Sequence, residues 1–200
     1  MTETGASRSQ TPPQAAPQNK VTCAVAWIPE DNRTGRDLCG WIGMAASERG
    51  IRRVSLPTHS LSSATEDGCD KQTCTLQWTP LLCRAYWQLR VFLSGRDVNL
   101  TVPVDLHGTT AFQQAVLDKT RAIEPGQTST YGQLATAVGR PRAARAVGRV
   151  MATNPVPLLV PCHRVVGGDG SLTGFGGGLA QKRALLCLER GCTDDLLRQE

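Results

Sequence analysis

No window of this 200-residue chain approaches the ~18 uninterrupted apolar residues of a membrane span, so no spanning helix and no membrane partner are expected. No apolar core stands behind the first residues, MTETGASRSQTPPQAAPQNK, and they are not an Arg-rich amphipathic helix; a secretory or transit signal is not expected. No CxxC occurs among the eight cysteines (Cys23, Cys39, Cys69, Cys74, Cys83, Cys162, Cys187, Cys192), and Cys69–Cys74 is only a CxxxxC. The usual zinc spacings are thus missing, and no metal is expected. With no export signal, reduced thiols in the cytoplasm are expected rather than four disulfides. Acidic residues are absent from 125–168, a 44-residue stretch that holds Arg140, Arg142, Arg145, Arg149 and Arg164. The balance is +1 over 1–124 and −1 over 169–200, so the net +5 resides in that one stretch. A near-neutral chain with one basic band is a candidate for local polyanion binding.

What is present is enough for one ordinary domain or two small ones, with 40% apolar residues to build a core. The Pro/Gln/Ser/Ala-rich residues 1–19 read as a disordered tail. Short apolar runs at 21–28, 40–46 and 51–56 predict strands of a small sheet. Residues 60–75 read as a polar loop, and Leu82, Tyr86, Leu89 and Leu93 repeat at helical spacing. Residues 99–106 alternate like a last strand. Composition changes near Gly108, where a mostly helical half begins; Phe112, Ala115, Val116 and Lys119 follow helical spacing until Pro125-Gly126. The expected domains are therefore 20–106 and 107–192, with a C-terminal tail at 193–200.

Thr130 is placed to cap a short helix over 131–138, Gly139 to end it, and Pro141 to open a second helix through Ala152. This is the outline of a helix-turn-helix, and equally of an ordinary helical hairpin. The second helix offers Ala143, Ala144, Ala146 and Gly148 around a single Arg145. A helix that reads base edges in the major groove carries several Asn, Gln, Arg or Lys. Small residues around one long cation suit close approach to a minor groove instead. Packing of one helix on another through alanines, with Arg145 solvated, is the alternative.

Residues 154–166 read Asn-Pro-Val-Pro-Leu-Leu-Val-Pro-Cys-His-Arg-Val-Val. Leu158-Leu159-Val160 predicts a short buried strand with Cys162 and His163 at its end. A thiol beside an imidazole can supply a thiolate nucleophile; a buried, inert cysteine is the competing reading. Asn154-Pro155-Val156-Pro157 with Pro161-Cys162-His163-Arg164-Val165 resembles the active-site signature of the O6-alkylguanine-DNA alkyltransferases, or methylated-DNA–protein-cysteine methyltransferases. Gly108-Thr109, Phe112-Gln113, Thr130-Tyr131-Gly132, Leu134-Ala135, 143–148, 174–179, Lys182 and Glu189 extend the resemblance over about 107–191. Residues 41–57 resemble the family in outline only.

The resemblance implies an α+β fold: a small N-terminal α/β domain, ribonuclease H-like, then a mostly helical C-terminal domain with a winged helix-turn-helix. It implies a single-turnover methyltransferase that needs no cofactor. The alkyl group passes from guanine O6 in DNA to Cys162, and the protein is consumed. His163 acts on Cys162 through a water, and Glu189 polarises His163, a relay with the logic of a hydrolase triad. Tyr131 hydrogen-bonds the leaving guanine, and Asn154 braces the turn before the cysteine. Pro157 packs on the base, the Cys162 and Val165 carbonyls accept from its exocyclic amine, and Phe175 and the Gly176 N–H close the pocket. Arg145 fills the stack when the nucleotide is flipped out; Ala143, Ala144, Ala146 and Gly148 face the minor groove.

Phe175 and Gly176 replace Tyr and Ser or Arg of some relatives, which implies altered tolerance for bulky O6 groups. The implied partner is double-stranded DNA containing O6-alkylguanine, bound with little sequence preference by a monomer. The setting is cytoplasmic, at the nucleoid in a bacterium, or nuclear in a eukaryote. A lesion-sensing alkyltransferase-like protein is the alternative, but those relatives lack the acceptor that Cys162 supplies. A helix-turn-helix regulator fits poorly with the few base-reading side chains of 142–152.

Overall fold

The computed structural model describes residues 21–30, 36–69 and 74–191. The expected tails at 1–19 and 193–200 lie outside the described residues, as does Cys192. The chain is mixed α+β, with six α-helices among the described residues. The three expected N-terminal strands form as β1 (Val21–Ile28), β2 (Gly40–Ser47) and β3 (Gly50–Val54). With β4 (Cys74–Leu76) they make one sheet in the order β3-β2-β1-β4, antiparallel except for the β1–β4 pair.

Strand alternation divides the sheet into two faces. Ile42, Met44 and Ala46 of β2 join Leu82, Ala85, Leu89, Phe92 and Leu93 of α2 (Pro80–Leu93) in the main core. Thr79 caps α2, accepting from the Leu82 N–H at 3.3 Å. Ala45 joins Val21, Cys23 and Cys69 in a second cluster on the opposite face.

The segment 60–75 is not a loop throughout. Its first part is helix α1 (Leu61–Gly68), capped by Ser60. The reason is packing through absence: Gly43 and Gly68 bring helix and sheet backbones so close that a Cβ on either would collide with the other element. Ala64 and Gly68 are the buried residues of α1, and residues this small leave no apolar period to read. Residues 99–106 are not a strand either. Only Val104 bridges to Ile51, through Ile51 N–H to the Pro103 carbonyl and Asp105 N–H to the Ile51 carbonyl, both 2.9 Å. Pro103 has no N–H to extend a ladder, and the Thr101 and Val102 amides donate to the Gln88 side chain.

The second half begins at Thr110, whose capping box with Gln113 starts α3 (Ala111–Arg121). Thr130 and Gln133 form the same box at α4 (Tyr131–Ala137). Gly139, at φ 74, turns the chain out of α4, with Arg140 N–H on the Ala135 carbonyl at 2.8 Å. The following helix α5 starts at Ala144 rather than at Pro141 and ends at Ala152. Two-residue strands β5 (Ser129–Thr130) and β6 (Val165–Val166) pair in parallel, and α6 (Gly178–Arg190) ends at left-handed Gly191. Buried side chains of both halves form one continuous cluster, from Ala24 through Val147 and Val156 to Leu185. No helix among the described residues is long and apolar enough to cross a membrane.

Candidate active site

The segment before the cysteine is a turn, not the expected strand. Leu158 has φ 71, a left-handed conformation unusual for leucine, and only Pro157 and Val160 bridge. Prolines at 155, 157 and 161 remove the donors that a ladder would need. Asn154 holds this turn from both sides: its Nδ2 donates to the Val160 carbonyl at 2.8 Å, and its Oδ1 accepts from Val156 N–H at 3.1 Å. Cys162 therefore opens a short 3-10 turn, Cys162–Arg164, rather than ending a strand.

That turn lies against one face of α6. Lys182, Leu185 and Glu189 follow at i, i+3 and i+7, and all three side chains are buried. His163 Nε2 is 2.9 Å from Glu189 Oε1, and neither side chain is more than 1% exposed. Arg164 grips the same carboxylate, with Nη2 at 2.7 Å from Oε1 and Nε at 3.0 Å from both oxygens; its Nη1 donates to the Ile123 carbonyl. Burial alone would raise the Glu189 pKa, but the hydrogen bonds from His163 and Arg164 outweigh it and bring it down to about 2. Glu189 is an anion at neutral pH.

Burial lowers the His163 pKa more than Glu189 raises it, so the imidazole is neutral. A neutral ring beside an anion donates from Nε2, which leaves Nδ1 as the acceptor. Nδ1 is buried and has no hydrogen-bond partner among the described residues. Cys162 is a free thiol and 8% exposed. Burial pushes its pKa up, while a hydrogen bond from Asn154 and the charge of Lys182 pull it down. The site is thus a buried thiol, followed in the chain by an acceptor imidazole, with a cation within electrostatic reach.

Lys182 is fully buried, and its Nζ donates to the carbonyls of Val165 at 2.6 Å and Thr173 at 2.7 Å. It ties β6 to the glycine-rich loop that follows. The Val165 carbonyl, expected to accept from a base, already accepts from Lys182; a carbonyl has two lone pairs, so a second donor is compatible. Pro157 is buried in the turn, Phe175 is half-buried, and Gly176 is exposed. Tyr131 begins α4 and accepts a hydrogen bond from Thr173 Oγ1 at 3.3 Å. A Cβ on Gly148 would lie 3.9 Å from the Tyr131 ring, so α5 passes close beside it.

On α5, Val147, Val150 and Met151 are buried, while Arg145 and Arg149 are exposed and Ala143, Ala144, Ala146 and Gly148 are half-buried. Arg140 lies over the Phe112 ring at 5.4 Å. No group of three or more His, Cys, Asp or Glu able to hold a metal occurs among the described residues. The structure thus brings Cys162, His163, Glu189 and Asn154 together, sets Tyr131 beside Thr173, and exposes Arg145. The sequence reading offers Arg164 only as a structural member of the motif and gives Lys182 no role at the site. A lone lysine two turns before Glu189 on an apolar helix face was the available signal for Lys182.

The family described as 6-O-methylguanine DNA methyltransferase, DNA binding domain, matches residues 111–191. A methylated-DNA–protein-cysteine methyltransferase of Mycobacterium tuberculosis is 46% identical over 116 residues, 56% of this chain and 70% of that protein. The inducible enzyme of the same name from Bacillus subtilis is 43% identical over 109 residues, 54% of this chain and 60% of that protein. The crystal structure of Mycobacterium tuberculosis OGT in complex with DNA matches with a TM-score of 0.69 and 32% identity, covering 88% of this chain and 97% of that one. The sequence likeness, the shared fold and the cysteine–histidine–glutamate geometry agree: the chain belongs to the methylated-DNA–protein-cysteine methyltransferase family.

Proposed function

We propose that the protein repairs DNA by moving the alkyl group of O6-alkylguanine irreversibly to Cys162. The observation that carries this reading is the ordered contact from Glu189 to His163, with Nδ1 left as a buried acceptor on the residue that follows Cys162. His163 takes the Cys162 proton through a water. The thiolate attacks the alkyl carbon, the carbon–oxygen bond breaks, and the electron pair leaves on guanine O6. Tyr131 hydrogen-bonds the departing base and offsets its negative charge. The thioether has no easy hydrolytic exit, so each chain acts once.

Arg145, exposed on α5, fills the gap left by the flipped nucleotide, and Ala143, Ala144, Ala146 and Gly148 let α5 approach the minor groove. Pro157 and Val165 line the base side of the pocket, with Phe175 and Gly176 opposite. The two halves are read as a ribonuclease H-like support domain at 20–106 and an alkyl-acceptor domain at 107–192 with a winged helix-turn-helix, the protein acting as a monomer. Its substrate places it at chromosomal DNA, in the cytoplasm of a bacterium or the nucleus of a eukaryote. Incubation with free O6-benzylguanine tests the chemistry. One equivalent of guanine released per chain, with the benzyl mass on the Cys162 peptide, is the expected result. Continued turnover, or the added mass on another residue, contradicts it.

A further inference from the structure

The loop that begins after Thr173 is built almost without side chains. Gly174, Gly176, Gly177 and Gly178 surround Phe175. Gly174 and Gly178 have φ 27 and 82, which favour glycine. Gly177 does not need its freedom: at φ −87 and ψ 7 its backbone suits any residue. What excludes a side chain there is Gln181, because a Cβ on Gly177 would collide with Gln181 Oε1. Leu56 closes the other side, its Cδ1 lying 3.1 Å from such a Cβ and 3.9 Å from one on Gly176.

Gln181 is 6% exposed and reaches out of α6 into the N-terminal half. Its Nε2 donates to the Asp37 carbonyl at 2.9 Å and to the Pro57 carbonyl at 3.0 Å. Asp37 and Pro57 belong to separate segments, one before β2 and one after β3. Gln181 Oε1 is buried with no hydrogen-bond partner among the described residues. A buried amide that spends both N–H groups across the junction, at the cost of its carbonyl, fixes a relative position.

We propose that Gln181 and Leu56 are positioning residues through which the N-terminal half sets the wall of the alkylguanine pocket, and so its tolerance for large O6 groups. The glycine loop has little rigidity of its own. It takes its place from Lys182 on the inside and from the Gln181–Leu56 clasp on the outside. Loosening the clasp lets the wall retreat and moves the Gly176 N–H from its position. Large alkyl groups then gain relative to methyl. This inference rests on the reading of Cys162 as alkyl acceptor and of 174–178 as a pocket wall.

The test is a pair of second-order rate constants, for O6-methylguanine in duplex DNA and for free O6-benzylguanine, in the full-length protein. Gln181→Met keeps the length and loses both donors; Leu56→Ala removes the contact; Gly177→Ala pushes Gln181 aside; Leu56→Ile keeps the contact. The benzyl-to-methyl ratio is expected to rise about fivefold or more in the first three variants, the scale of a pocket contact, and to stay at the wild-type value in Leu56→Ile. Gln181→Met and Gly177→Ala break the same contact, so their double variant should change the ratio no further. An unchanged ratio, or both constants falling together in step with the melting temperature, overturns the proposal. A wild-type protein that reacts with neither substrate overturns the alkyltransferase reading, and this inference with it.

Discussion

Arg164 and Glu189 form a two-pronged ion pair under the active site, and His163 hydrogen-bonds one of the same carboxylate oxygens. Arg164 is the permanent cation of the three. With the His163 hydrogen bond it keeps Glu189 ionised, and the ionised Glu189 fixes which nitrogen of His163 carries the proton. A residue that the sequence motif offers only as a structural member thereby helps set the tautomer on which the proposed proton transfer depends.

Removing Arg164 leaves a buried carboxylate half-paired. Arg164→Ala is expected to lower unfolding stability by about 3–5 kcal/mol, the usual cost of breaking a buried pair. Lysine cannot reproduce the fork, so Arg164→Lys should recover only part of the loss. Arg164→Ala/Glu189→Gln should be more stable than Arg164→Ala alone. Urea titrations of the four proteins decide the point, and a double variant no more stable than the single one would contradict it.

The shifted groups of the site make stability depend on pH. His163 is held neutral in the fold, so acidification below the unfolded value of about 6.5 favours the unfolded state. Glu189 adds to this: its contribution is complete above about 4.5 and is lost as pH falls towards about 2. Cys162 has a raised pKa, so its contribution declines above the unfolded thiol value of about 9, while Lys182, whose pKa burial lowers, adds stability as pH rises to its unfolded value of about 10.5. Melting temperature should therefore fall as pH drops below roughly 6.5, while the opposed Cys162 and Lys182 contributions offset one another on the alkaline side. Glu189→Gln should flatten the part of the acid fall between about pH 4.5 and 2.

Asn154 supports the turn and the thiol together. Asn154→Ala leaves the Val156 N–H without its acceptor, at about 1–3 kcal/mol, while the Val160 carbonyl keeps the Cys162 N–H. It also removes the hydrogen bond that lowers the Cys162 pKa. The pH–rate profile for alkylation of Cys162 by O6-benzylguanine should move to higher pH. A loss of stability with an unmoved profile would leave Asn154 a purely structural role.

Arg145 is exposed on α5. Arg145→Ala should slow repair of O6-methylguanine in duplex DNA at least about tenfold, on the scale of a few kcal/mol for base extrusion. Reaction with free O6-benzylguanine needs no flipping and should change less than about twofold. Equal slowing on both substrates would remove Arg145 from the flipping step.

The helices of the second half were legible because their signals are local. Thr110 and Thr130 each precede a Gln at the capping-box distance, and Gly139 marks the turn between α4 and α5. The cysteine motif was legible because three prolines and an Asn are an unusual local combination. Other features depend on partners distant in sequence. Helix α1 exists because Gly43 accepts Gly68 and Ala64 against it. Residues 99–106 fail to make a strand because Gln88 takes the Thr101 and Val102 amides and Pro103 has none. The turn at Leu158 replaces a strand because Asn154 holds it. Gln181 was silent in the sequence because its role lies in the Asp37 and Pro57 carbonyls, far along the chain.

The central claim is that Cys162 receives the alkyl group and keeps it. The most direct measurement is incubation with duplex DNA carrying O6-[³H-methyl]guanine, followed by counting of label on the protein. About one equivalent per chain is expected at saturation, confined to the peptide that contains Cys162 and absent from Cys162→Ala. Label on the Cys162→Ala protein, or none on the wild type, would contradict the account.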